Sequence, residues 1–179
     1  TLSENDMWVV IMNSLGDVAD KRKVTSDSES EILTDIFVHN NYIYWVGIVG
    51  GEDIIYGRLS YDNVDINFDW GRRIPNPTNY KFVDAKIKID DYESIYLYAT
   101  ETNNSTSKKE KITLFRIDLD NYEDIVWAKR LSPAATSFTS IQGIGLAIDI
   151  FNNITIGVTV ETSTQRFVDI VKFKHDGSI

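Results

Sequence analysis

Two stretches of the chain concentrate carboxylates: Asp90-Asp91, and the run Asp118, Asp120, Glu123 and Asp124 within DLDNYED. Paired carboxylates cleave glycosidic bonds when one is desolvated and the two stand about 5–10 Å apart. Both stretches fall in expected turns, where water holds carboxylates near their ordinary pKa. The denser run also has the air of a calcium loop. An EF-hand loop, however, needs a Gly at its sixth position and a bidentate Glu at its twelfth, and neither falls in place. These acids therefore read as solvated hairpin turns, as do Asp62, Asp65 and Asp69. His39 and His175 are the two histidines, and neither has a partner His at ligand spacing. The chain holds no cysteine, so disulfides, thiolate metal sites and cysteine nucleophiles are excluded. Nucleophile-elbow, phosphate-loop and dinucleotide motifs are absent as well. The expectation is a chain with no catalytic residue, no metal and no cofactor, and hence not an enzyme.

Trp70 and Trp127 point elsewhere. Exposed Trp and Tyr stack on sugar rings, and repeated pockets between blades serve sugar-binding propellers. The two Trp residues stand at the same place in a repeated phrase: RLSYDNVDINFDWGRRI at 58–74 is echoed by FRIDLDNYEDIVWAKRL at 115–131. A position set by a repeat serves packing first. Turn pairs recur at Asp62-Asn63, Asp120-Asn121 and Asp176-Gly177, where Gly and Asn tolerate the left-handed backbone of a tight hairpin. A third mark is an apolar alternation broken by an Asn/Asp-rich turn: VHNNYIYWVG, IDDYESIYLYA and IFNNITIGV. The marks recur every ~55 residues, near the length of propeller blades of the kelch type.

Period-two alternation of β-branched and aromatic residues predicts an all-β fold with no helix. Strands are expected over about 32–39, 42–49, 52–61 and 68–74 in one unit. The next unit has them at 82–90, 94–101, 111–119 and 125–131. A third shows 141–150, 154–161 and 166–174, and two further strands fall at 7–13 and 19–25. Tandem four-stranded antiparallel units are the signature of a β-propeller. The division that follows is 1–30 as the C-terminal half of a preceding blade, 31–79 and 80–137 as blades, and 138–179 as a blade lacking its last strand. About three blades do not close a ring of four to eight, so the expectation is part of a larger propeller or one completed by oligomerisation.

The pattern resembles bacterial propeller repeats of the SBBP type. Asp120-Asn121, Trp127-Ala128-Lys129 and the hairpin Asn40-Asn41-Tyr42-Ile43-Tyr44-Trp45-Val46-Gly47 carry the resemblance, which implies a propeller fold rather than an activity. Asn63 and Asn121 depart from it by replacing a turn Gly, and Ala99 stands where the pattern has Gly.

Net charge is −9 and the pI about 4.7, which repels phosphate backbones and argues against nucleic acid. No apolar run approaches the ~20 residues that span a bilayer as a helix. The hydrophilic stretch ETNNSTSKKEK at 101–111 reads as a loop. It carries acceptor triplets for N-glycosylation at Asn103 and Asn104, and Asn153 begins a third. The reading from sequence is thus a non-enzymatic structural or adhesion scaffold at an extracellular, cell or virion surface, partnered by other subunits or by the rest of a longer chain. The alternative is a carbohydrate-binding or glycan-cleaving propeller, with the aromatics at 42–45 and 96–98 lining pockets between blades.

Overall fold

The computed structural model describes residues 7–24, 29–62, 65–119, 124–133 and 138–179. Every element among them is a strand. β1 (Met7–Met12) and β2 (Val18–Val24) form a hairpin. The second sheet runs β3 (Glu31–His39), β4 (Tyr42–Val49), β5 (Asp53–Tyr61), β6 (Ile66–Ile74), and the third runs β7 (Tyr80–Ile89), β8 (Ser94–Asn103), β9 (Lys109–Asp118), β10 (Ile125–Leu131). The fourth sheet has β11 (Phe138–Ile148), β12 (Ile154–Thr162) and β13 (Arg166–Phe173). All pairings are antiparallel between neighbours in sequence. The predicted strands are therefore found, with no end displaced by more than three residues.

Local chemistry explains the hairpins. Asn40 and Asn152 adopt positive φ of 52° and 58°, a backbone that Asn tolerates better than most residues. Asp90 and Asp149 hold equivalent turns. The Asp90 Oδ1 accepts the Tyr92 and Ser94 N–H groups at 3.0 and 2.8 Å, and the Asp149 Oδ1 accepts those of Phe151 and Asn153 at 2.9 and 3.0 Å. An acid at the end of a first strand thus pins each turn by accepting its N–H groups, while Glu93 and Asn152 take the positive φ.

The sheets pack face to face in chain order. Tyr56, Trp70 and Val46 of the second sheet meet Phe82, Leu97 and Phe115 of the third. Tyr96, Leu114 and Ile112 on the other face of the third meet Ile141, Ile156 and Val158 of the fourth. Val9 and Val24 of the hairpin pack on Trp45, Leu59 and Ile66. Middle strands β4 and β8 are therefore buried on both faces, which is why YIYWVGIV and SIYLYATETN read as unbroken runs rather than alternations. Each buried Ile, Leu or Val removed from water contributes roughly 1.5–3 kcal/mol before chain entropy is counted. First strands β3, β7 and β11 lie beside one another in series, as around the axis of a propeller. The end sheets keep apolar groups in water: Trp8 and Met12 on β1, and Val168 and Ile170 on β13.

The repeated Trp residues occupy matched sites. Trp70 pairs across the ladder with Arg58, and Trp127 with Arg116, each beside a bulge in the register. Trp70 is buried edge-on against Tyr56, with ring centroids 5.9 Å apart. Trp127 is half-buried beside Tyr96 and donates its Nε1–H to the His175 carbonyl at 3.3 Å. The Asp176-Gly177 turn lies over it. Gly177 has a φ of 81°, and a Cβ there would stand 3.1 Å from the Trp127 ring.

Close approach makes Gly57 indispensable. A Cβ on Gly57 would strike the Trp70 carbonyl oxygen and stand 2.6 Å from the Trp45 ring, whereas one on Gly145 would meet open space. Overpacking a site of this kind costs about 1–3 kcal/mol. Gly57→Ala is expected to lower the urea midpoint accordingly, while Gly145→Ala holds or raises it. Equal midpoints for the two variants would contradict this packing.

Candidate functional site

Asp90 and Asp91 do not present two acids to one site, and most of the second carboxylate stretch lies outside the described residues. Asp90 is 2% exposed, so the expectation of a water-bathed turn acid fails for it. Its Oδ2 accepts the Tyr96 hydroxyl at 3.1 Å and lies 3.7 Å from the His175 Nδ1, and that nitrogen is 2.8 Å from the same hydroxyl. Asp90 thereby ties a turn to the C-terminal residues, while Asp91 is exposed. Asp120, Asn121 and Glu123 lie outside the described residues, as does Asn63. Asp62 accepts the Asp65 N–H at 2.8 Å across its turn, and Asp69 pairs with Arg58 at 2.8 Å. His39 stacks on Phe37. Among the described residues no cluster of three or more His, Asp or Glu has the geometry of a metal site.

The aromatics expected to line sugar pockets are packed away instead. Tyr44, Trp45, Tyr96 and Tyr98 are all buried, and half-buried Tyr42 is covered by the Arg58 guanidinium 4.2 Å from its centroid. Of the glycan acceptors, Asn103 uses its amide to accept the Ser105 N–H at 2.9 Å and to donate to Glu110 at 3.2 Å. Asn153 donates to both Asp149 oxygens. Asn104 is exposed on the same loop.

A different pair of acids meets at the inner strands. Asp35 on β3 follows a bulge at Thr34, and Asp84 on β7 follows a bulge at Val83. A bulge bends a strand and re-aims the side chain beside it, a device common next to active sites. The Asp35 Oδ2 reaches across to accept the Ile87 N–H at 3.1 Å, and Lys86 donates to the Thr34 carbonyl at 3.0 Å. The two first strands are thus stitched together at this point. Burial pushes the Asp84 carboxyl above its ordinary value, against the pull of Lys86, the Ala85 N–H and Lys109, and the Asp35 charge adds to the rise. Tyr98, paired with Lys86 on the ladder, completes the cluster. Burial drives its phenol upward, helped by Asp84 and Asp35, and among the described residues its hydroxyl has no hydrogen-bond partner. The Tyr98 ring lies so close to Gly143 of β11 that a Cβ there would stand 2.7 Å from its Cζ.

Glu101, one strand further out, is fully buried where the neighbouring sheets have Val49 and Val160. Its Oε1 takes the Arg130 Nε–H at 3.1 Å and the Thr113 hydroxyl, while its Oε2 has no partner. Sequence reasoning missed Asp35, Asp84 and Glu101 because it looked for acids in clusters and turns. The available signal was the reverse: an isolated acid inside an apolar strand.

No protein-family model matches the chain, and no curated protein does. Among solved structures the chain is similar to an α-L-arabinofuranosidase (CtGH43) from Clostridium thermocellum ATCC 27405, with a TM-score of 0.51 and 16% identity over 80% of this chain and 47% of that one. The chain thus spans about half the length of that protein, itself a β-propeller. The fold is accordingly a run of β-propeller blades, all-β as expected. The resemblance to SBBP-type repeats holds at the level of that fold, and no family model supports the closer kinship. The expectation that the chain is not an enzyme is corrected by this likeness: the similar propeller is an α-L-arabinofuranosidase, and the inner strands of this chain carry a half-buried carboxylate pair that the sequence reading had not found.

The raised Asp84 has a signed consequence. A carboxyl whose folded pKa exceeds its ordinary 3.8 stabilises the fold in its protonated form below that pH. That contribution is lost as pH rises through the folded value. Asp84→Asn, which mimics the protonated group, should melt higher than the parent at pH 7, with the gain gone near pH 3.5. A gain independent of pH, or a loss at pH 7, would refute the assignment. Tyr98→Phe removes an unpaired buried hydroxyl and should leave stability unchanged or raise it by up to ~3 kcal/mol in chemical denaturation.

Proposed function

We propose that the chain is a glycan-cleaving β-propeller module whose reacting groups are Asp84 and Asp35. The single observation that carries this reading is the acid pair on adjacent first strands, with Asp84 held toward its protonated form by burial and by Asp35. Glycoside cleavage needs that asymmetry, one carboxylic acid to give a proton and one carboxylate to direct water or attack the sugar. Asp84 donates its proton to the glycosidic oxygen as the bond to the sugar breaks. Asp35 takes the proton of the incoming water, its other oxygen steadied by the Ile87 N–H. The sugar-to-oxygen bond is replaced by a sugar-to-water bond, and the two protons balance.

The likeness to an α-L-arabinofuranosidase supports a pentose-bearing glycan as substrate. The repeat marks support kinship with the bacterial propeller repeats. Apolar groups in water on β1 and β13 support association with other subunits or with further chain, and the reading carries an extracellular or surface location with it.

The test is hydrolysis of a panel of 4-nitrophenyl glycosides that includes the α-L-arabinofuranoside. General acid–base groups contribute typically 10²–10⁴-fold. Asp84→Asn and Asp35→Asn should each lower kcat/KM by at least a hundredfold, with circular dichroism unchanged. Activity within twofold of the parent in either variant would sink the reading.

A further inference from the structure

A groove of about 280 Å³ lies between the third and fourth sheets, and six of its lining residues carry the argument: Lys108, Lys109, Ser140, Gln142, Glu161 and Arg166. The size is near the lower end for small-molecule sites, roughly 300 Å³, and suits one compact polar ligand. Its charge is opposite to that of the protein. Three cations face one carboxylate, in a chain of net charge −9. That carboxylate is already taken, because Glu161 pairs with Arg166 at 3.2 Å and accepts the Ser140 hydroxyl at 3.0 Å.

The two lysines have no such match. The Lys108 Nζ rests 3.8 Å from the Phe138 ring centroid, and the Lys109 Nζ donates to the Gln142 Oε1 at 2.9 Å. Among the described residues neither ammonium has a carboxylate within ion-pair distance. Two ammonium groups of one groove, neither within ion-pair distance of a carboxylate among the described residues, attract an anion. Hydroxyl and amide groups of Ser140 and Gln142 beside them match the hydroxyls of a sugar.

Building on the glycan reading, we propose that this groove binds a hexuronate unit of an acidic glycan, its carboxylate held by Lys108 and Lys109. Lys109 also links the groove to the reacting pair, since its charge is among those that lower the Asp84 carboxyl. An anion that neutralises Lys109 relieves that pull and favours the proton-holding form of Asp84. An acidic substrate unit in the groove thereby strengthens the proton donor.

The test compares trigalacturonate with neutral arabinotriose by isothermal titration on the whole chain. Trigalacturonate is expected to bind at least tenfold more tightly, and to weaken as salt rises from 20 to 200 mM. Lys109→Met, and Lys108→Met with it, should cost tenfold or more for trigalacturonate and leave arabinotriose unchanged, with melting temperatures near the parent's. Equal affinity for the two sugars, no binding of trigalacturonate, or indifference to the Lys changes would each overturn the proposal. Trigalacturonate binding that survives in Asp84→Asn, with no hydrolysis by the parent chain, would overturn the catalytic reading and leave the groove assigned.

Discussion

Strand β8 has no solvent face, and the architecture follows from that fact. Its odd-numbered residues Ile95, Leu97 and Ala99 pack toward the second sheet, while Tyr96 and Tyr98 pack toward the fourth. A strand covered on both sides needs a sheet on each side, so one blade cannot hide its own apolar surface. Blade must stack on blade, and the twist of each sheet turns the stack about an axis. The first strands then fall beside one another because every blade is threaded in the same order. Asp35 and Asp84, far apart in the chain, are brought close by this threading together with the bulge beside each.

Polar groups inside such a stack are expensive, and their positions are informative. Most buried polar atoms in proteins find a partner, and leaving one unmade costs about 1–3 kcal/mol. Asp90 conforms: two backbone N–H groups and a phenol satisfy it. Tyr98 and Glu101 do not, since each leaves one oxygen without a partner. Both sit in the third sheet, packed between the four-stranded second sheet and the three-stranded fourth, and both lie near the Asp84 side of the inner strands. Stability alone would favour an apolar residue at each place, as Val49 and Val160 show for Glu101. The third sheet therefore combines a core covered on both faces with buried polar atoms left unmatched among the described residues, as the second sheet does at Trp45.

Legibility differed sharply between scaffold and site. Strand existence, strand order and the turn residues could be read directly, because alternation and Asn/Asp/Gly punctuation are local properties. The double burial of β4 and β8 was not read from the sequence, which took both segments as apolar alternation. Trp70 and Trp127 were singled out by their recurrence, and one is buried while the other is half-buried. The acids that the strands bring together were not among those the sequence analysis weighed. Dense acids in DLDNYED drew attention because they are conspicuous in one dimension, while Asp35 and Asp84 look like single polar interruptions of strands. Their pairing depends on two bulges and on the approach of β3 to β7, neither of which leaves a mark at either residue alone.

By itself, then, the sequence determined a run of four-stranded antiparallel units, since side-chain alternation and turn chemistry act over a few residues and repeat every blade. It also determined an acidic, cysteine-free chain without a helical span. Only the tertiary structure decided which acids lose water, which aromatics are core rather than surface, and where cations gather without counter-charge. Those properties arise from how one sheet lies against the next. Desolvation and charge proximity are set by contacts between residues some fifty positions apart, such as Asp35 with Ile87, and no local pattern encodes them.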